Sequence, residues 1–311
     1  MTADLDLPVG TPGHAPVVVE LPGVPGLGGT YARGLATGGR LAVARRTGSA
    51  PTALADVRYV ARGVRADADH LTAYQHLLGE SGSDALPAGF VHVLAFPVAT
   101  ALMARADFPL PMLGLVHLAN RVEQHRPLGL DDTFDVHAHA EGLRPHRSGT
   151  QVDLVTEAHV DGTLAWRGVS TYLAKGLRLA EDDGAAADEP PRAAFEPPVP
   201  TGQWRLDGDT GQRYAAVSGD VNPIHTSTLG AKALGFPRRI AHGMYTAARA
   251  LADVGAARGD AFAWTVTFDK PVLLPGAVAV RVAREGDGFA YAGWHPRSGK
   301  PHLRGTVTPR P

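Results

Sequence analysis

A repeat narrows the possible folds more than any other feature of this chain. Apolar residues recur at helical spacing from Val91 to Arg105, and strand-like runs follow at Met112–Val122, Thr133–Ala140, Thr150–Val160 and Leu164–Leu173. The same order returns later: Met244 to Ala257 reads as a small-residue, largely buried helix, followed by Ala263–Phe268, Ala277–Ala283, Phe289–Trp294 and Leu303–Thr308. Smaller details recur as well. His125–Arg126–Pro127–Leu128 and Asp269–Lys270–Pro271–Val272 each set a basic residue and a proline just past an apolar strand, and Gly142 to Gly149 and Glu285 to Gly288 are both hairpin-like breaks. We read a divergent internal duplication. Consecutive strands joined by short turns must run antiparallel, so each repeat is α+β, a long central helix wrapped by a curved antiparallel sheet. Ala247, Ala248, Ala250, Ala252 and Ala256 let the second helix lie close to its sheet.

The spacing of the repeats sets the domain plan. Residues 56–178 form the first unit and 201–311 the second, each near the usual size of one domain. Between them, 179–200 gathers Glu181, Asp182, Asp183, Asp188 and Glu189 beside several prolines, the composition of an exposed acidic linker. Residues 1–55 read as a partly flexible arm, with Val17–Val18–Val19 an edge strand or extended segment. Within the arm, Pro25 to Tyr31 invites comparison with a dinucleotide-binding fingerprint and fails it. The last glycine of that pattern would fall on Tyr31 and no amphipathic helix starts there, so a flexible loop is expected.

Charge and composition exclude several classes. Lys+Arg 30 against Asp+Glu 31 leaves no basic field for nucleic acid or an anionic membrane. With 44% hydrophobic and 20% charged residues the chain folds. It has no cysteine, which removes disulfides, thiolate metal sites and a cysteine nucleophile. The most apolar stretch, Val91 to Met103, is too short to cross a bilayer. Met1 to Pro8 is acidic and lacks the pattern of a secretory signal, so a cytoplasmic location is expected.

Chemistry concentrates between Tyr214 and Met244. Ser218–Gly219–Asp220 and Asn222–Pro223 favour turns, and Asn222, preceding a proline, is pushed out of the helical region. Asp220 and His225 therefore share one irregular loop, where a carboxylate and an imidazole can converge on a single water and deprotonate it. Thr226 or Ser227 is set to cap a short helix ending at Gly235. Ala241–His242–Gly243–Met244 then opens the long helix, and a backbone N–H at a helix start, made approachable by Gly243, suits an oxygen gaining negative charge. Each residue alone has a bland reading as a turn, cap or packing residue. Their conjunction points to adding water to, or removing it from, an activated carbonyl compound.

At these residues the chain resembles the MaoC-like, (R)-specific enoyl-CoA hydratase group, whose mark is the Y-x-x-x-S-G-D-x-N-P-I-H loop followed by A-H-G-M. The resemblance implies a hotdog fold in tandem, Asp220 and His225 as a catalytic dyad and the Gly243 amide as oxyanion donor. It also implies that Asn222 helps position the substrate or the dyad, while Ser218 and His242, on the substrate-binding side, shape the loop and the helix start. The expected reaction is reversible hydration of trans-2-enoyl-CoA to (R)-3-hydroxyacyl-CoA, without metal or redox cofactor. A 3-hydroxyacyl-ACP dehydratase acting on an acyl carrier protein, an acyl-CoA thioesterase and a non-catalytic acyl-binding protein are the rivals.

The first repeat lacks the dyad, since the position five after Asp84 is Gly89. It reads as a scaffold that widens the acyl channel, leaving one site per chain and an internal pseudo-dimer, with homodimerisation open. Arg238, Arg239 and Lys270 are set to meet the CoA phosphates or to be merely solvated. His137 and His139 share a strand face at weak metal-ligand spacing, with no third ligand evident. The nine histidines from His70 to His159 receive no functional role.

Overall fold

The computed structural model describes residues 15–179 and 194–310. Its elements, in chain order, are β1 (Val17–Leu21), α1 (Leu27–Arg46), β2 (Val57–Val64), α2 (Ala68–Leu78), β3 (Ala85–Leu86), α3 (Ala88–Met103), β4 (Leu115–Gln124), β5 (Leu128–Gly129), β6 (Phe134–His146), β7 (Gly149–Val160) and β8 (Thr163–Lys175), then β9 (Gly202–Leu206), α4 (Thr210–Ser218), α5 (Pro223–Thr226), α6 (Thr228–Ala233), α7 (Gly243–Val254), β10 (Phe262–Phe268), β11 (Gly276–Glu285), β12 (Gly288–Trp294) and β13 (Pro301–Pro309).

The duplication is visible in the sheet. Its order is β1-β2-β6-β7-β8-β4-β10-β13-β12-β11-β9. The five strands of the first repeat run β2-β6-β7-β8-β4 and those of the second run outward from the seam as β10-β13-β12-β11-β9, the same order reflected about the β4–β10 pair. Each repeat thus has a fifth strand, β2 or β9, ahead of its helix, which the sequence pattern did not separate from its surroundings. The segment preceding each main helix also pairs beyond the next strand: Leu86 with Leu128 in the first half and, as an isolated bridge, Ile240 with Leu273 in the second. This is the tandem hotdog.

Both central helices are core elements for reasons their sequences supply. α3 is apolar on every side and buried almost throughout, as a helix hydrophobic all round must be. α7 buries Ala247, Ala248, Ala250 and Leu251 completely. It ends at Val254 and gives way to a 3-10 turn, so Ala256 lies outside it and is exposed. The two halves share one apolar core, in which Phe90, Val122 and Trp166 join Ala248, Trp264 and Val266. The seam is reinforced by Gln124 Nε2 donating to the Asp260 carbonyl at 2.8 Å and by ion pairs Arg310–Glu123 and Arg258–Glu80, both at 3.3 Å.

The reading of the first residues is corrected. Pro25–Tyr31 is no loop, because α1 starts at Leu27 and runs twenty residues. Five glycines within it weaken its propensity, and Gly26 provides no side-chain cap, which is why the pattern does not look helical. Tertiary contacts hold it instead: a Cβ on Gly34 would lie 2.3 Å from the Met112 methyl, and Arg45 donates to the Pro109 carbonyl at 2.6 Å. β1 adds to the outer edge of the sheet, parallel to β2. Most of the expected linker, 180–193, lies outside the described residues. Among the described residues no helix is long and apolar enough to cross a membrane.

Candidate active site

The stretch from Gly219 to His242 connects α4 to α7 and carries the site. Gly219 closes α4 at φ 72°, a left-handed turn that reverses the chain. The Asp220 amide then donates to Ser218 Oγ at 3.2 Å, so Ser218 shapes the turn. Asn222 stands outside the helical region, and its Oδ1 accepts from the Ile224 amide at 3.3 Å, capping α5. Ser227 rather than Thr226 caps α6, accepting from the Gly230 amide at 3.2 Å. α6 stops at Ala233, just short of Gly235. These local bonds fix the loop without engaging the Asp220 carboxylate oxygen Oδ2 or His225 Nε2.

His225 is buried on α5, and its Nδ1 donates to the Ile240 carbonyl at 2.9 Å. Because a carbonyl can only accept, that bond places the hydrogen on Nδ1 and leaves Nε2 with a free lone pair when the ring is neutral. His242, the residue before α7, donates from Nε2 to the Asp220 carbonyl at 2.9 Å and lies 3.7 Å from Asp220 Oδ2. Its ring stacks on that of His225, centroids 3.7 Å apart. One carboxylate oxygen of Asp220 and one nitrogen each of His225 and His242 lie within 4.8 Å of one another. Gly243 opens α7, so its amide is among those without a partner inside the helix. A Cβ there would press on the Phe268 ring at 3.0 Å, and only glycine leaves this approach clear.

Electrostatics favours an ionised acid beside a neutral ring. Burial works to raise the Asp220 carboxyl, but His242, His225, the Tyr31 hydroxyl and the Asn222 amide outweigh it and hold the group below the usual carboxylate range. Burial pushes the His225 imidazolium down, with Asp220 and the Ile240 carbonyl opposing. His242 is driven to about 3 by burial and by His225. The trio has the donor types of a metal site, and the Ile240 and Asp220 carbonyls each take one N–H, leaving His225 Nε2 and His242 Nδ1 as the ring nitrogens without that bond.

The comparisons with known proteins bear on this geometry. Residues 187–291 match the family described as MaoC like domain. The 3-hydroxyacyl-thioester dehydratase X of Mycobacterium tuberculosis is 37% identical over 277 residues, 88% of this chain and 95% of that protein. The crystal structure of HtdX from the same organism superposes with a TM-score of 0.71 at 36% identity, covering 80% of this chain and 98% of the other. This chain belongs to the MaoC-like dehydratase family, and it is a hydro-lyase. A MaoC-like dehydratase from Phytophthora capsici, at 20% identity and a TM-score of 0.65, covers 81% of this chain and 94% of its own, and shows the same fold.

In this MaoC-like chain several residues around Asp220 come from outside the motif. Tyr31 of α1 donates to Asp220 Oδ1 at 2.5 Å. His92 of α3, His117 of β4 and Tyr172 of β8 all feel the Asp220 charge. His117 stacks on Tyr172 at 4.5 Å and meets Phe268 at 5.1 Å, which in turn covers Gly243. Burial lowers His92 to about 4 and His117 to about 3, so both are neutral near pH 7. Of the nine early histidines, His92 and His117 thus stand near Asp220. His92 had a signal, a polar residue inside an otherwise apolar helix, whereas nothing in the sequence linked Tyr31 to residue 220.

The remaining candidates are placed as follows. Arg238 is exposed and Arg239 half-buried on the segment that leads to Ile240. Lys270 is exposed, and its carbonyl receives His302 Nδ1 at 2.9 Å. His137, Glu157 and His159 do come together across β6 and β7, supplying the third ligand type that spacing alone did not. Arg58 at 3.5 Å and Arg167 at 3.6 Å already compensate the Glu157 carboxylate, and His139 turns to Glu141 at 3.3 Å.

Proposed function

We propose that the protein interconverts a trans-2-enoyl thioester and the (R)-3-hydroxyacyl thioester, with Asp220 and His225 as the water-handling pair and the Gly243 amide as oxyanion donor. The observation that carries this reading is that a carboxylate oxygen and a ring nitrogen sit within 4.8 Å on a loop that His242 ties to the start of α7. An ionised Asp220 and a neutral His225 with Nε2 free are two acceptors, matching the two hydrogens of one water. Water so held turns an oxygen lone pair outward, toward C3 of the enoyl group. The Gly243 N–H accepts no proton chemistry; it donates to the thioester oxygen as that oxygen gains charge, drawing electron density from C3. The oxygen bonds C3, the pair takes one proton from water, and a proton is returned to C2 on the same face. Dehydration is the reverse.

The thioester class is in keeping with the printed name of the mycobacterial relative. Coenzyme A is the proposed handle, with Arg238, Arg239 and Lys270 the cations to test at the phosphate end; the same acyl groups on acyl carrier protein are the competing substrate. Purified protein is expected to hydrate crotonyl-CoA to the (R)-product and to lose that activity as D220N and H225Q. Full activity in either variant, or an (S)-product, overturns the reading. Comparing kcat/KM on CoA and carrier-protein thioesters decides the handle.

A further inference from the structure

The contact between Tyr31 and Asp220 joins two parts of the chain separated by the whole first repeat. Asp220 Oδ1 accepts twice, from the Tyr31 hydroxyl at 2.5 Å and from the Asn222 amide at 3.2 Å. That leaves Oδ2 as the oxygen turned toward the histidines, 3.7 Å from His242 Nε2. A carboxylate with one oxygen saturated has a defined orientation, and a hydrogen bond to its charged form favours ionisation. Tyr31 meanwhile packs against a first-half core cluster that includes Ala99, Met103 and Met112. Leu27, one turn earlier on α1, packs on Gly219 so closely that a Cβ there would lie 2.3 Å from Leu27 Cδ1. Helix α1 is thus anchored on the first repeat through Gly34 and Arg45 and touches the second at the two consecutive residues 219 and 220.

We propose that Tyr31 is a positioning residue for Asp220: its hydroxyl holds one carboxylate oxygen so that the other faces the water, which makes α1 a working part of the site. This rests on the role proposed for Asp220. Burial and the Asp220 charge both keep the phenol protonated, so it remains a donor across the working pH range.

The test uses the full chain with crotonyl-CoA. Y31F keeps the ring and its packing but removes the donor. Turnover is expected to fall about ten- to a hundredfold, the range associated with one hydrogen bond to a charged group, with KM within about twofold of the parent. The acid limb of the kcat profile is expected to move to higher pH, because Asp220 loses a donor that stabilises its ionised form. L27A, which thins the packing of α1 on Gly219 and retains the hydroxyl, is expected to give a smaller loss and an unmoved acid limb. A Y31F enzyme with parental kcat and pH profile overturns the proposal. So does equal behaviour of Y31F and L27A, since docking of the helix would then explain both. The two readings fail separately: an active D220N removes the carboxylate role and Tyr31's with it, whereas an inactive D220N beside a parental Y31F removes only the tyrosine's.

Discussion

The two repeats solve the same packing problem and differ in what they place ahead of the central helix. In the second, the chain runs from Gly219 to His242 between α4 and α7, long enough to build two short helices, with Asp220 ahead of the first and His225 on it. In the first, it runs only from Gly79 to Pro87 between α2 and α3. Gly89, where counting from Asp84 would seek the imidazole, lies inside the first turn of α3. There the Tyr74 hydroxyl and Ala248 close in on it, at 2.3 Å and 3.1 Å from where a Cβ would stand. The first repeat therefore has neither the loop nor the room for a dyad. What it supplies instead is the far wall: His92, His117 and Tyr172 enter the field of Asp220 from its helix and sheet. A repeat that loses a loop can still shape its partner's site.

The sharpest way to break this asymmetry is to change matched acids. D220N is expected to lower turnover by about 10²–10⁴-fold, the usual worth of a general acid–base group, while D84N in the first repeat stays within about twofold, as measured by initial rates on crotonyl-CoA. Packing gives the next effect. G89A forces a methyl against Tyr74 and α7 and is expected to destabilise by about 1–3 kcal/mol in denaturant melts, as overpacking of a filled core does. G82A, at an exposed position with nothing near its Cβ, leaves the midpoint nearly unchanged.

Acid stability probes the histidines that the first repeat contributes. An unfolded histidine takes up its proton near 6.5, whereas His92 does so at about 4 and His117 at about 3 in the fold. Between those values the unfolded chain binds more protons, so their contribution is complete above pH 6.5 and is lost as pH falls toward 3. H92Q is expected to flatten the loss of stability over that window, measured as melting temperature against pH; a slope identical to the parent's would mean that the ring is already charged. The smallest expected effect is a gain. G38A on α1, where a Cβ meets nothing within 4 Å, is expected to stabilise by about 0.4–1 kcal/mol through helix propensity and a less entropic unfolded state, detectable as a raised melting temperature.

The motif residues and the repeat were readable in the sequence because both are local: turn-forming residues around Asp220 and Asn222 set the loop, and periodicity marks α3, α7 and eight of the strands. β2 and β9 were not separated, since the buried positions of β2 do not alternate and β9 is only five residues long. α1 was missed for a physical reason. Gly28, Gly29, Gly34, Gly38 and Gly39 argue against a helix until Met112, Pro109 and the loop at Gly219–Asp220 are there to hold one. The contributions of Tyr31, His117 and Tyr172 depend on which strands and helices meet at the seam, and no spacing along the chain encodes that.

The join between β4 and β10 has a consequence for how such a protein can change. In a dimer of identical subunits every substitution appears on both sides of the two-fold axis, so each contact away from it is made twice and changes twice. Here Gln124 donates to the Asp260 carbonyl, whereas Phe268, which holds the matching place in the second repeat, meets His117 instead. Covalent fusion has released each strand of the seam from matching its counterpart, and so allows the two flanks of the former axis to take on different side chains independently.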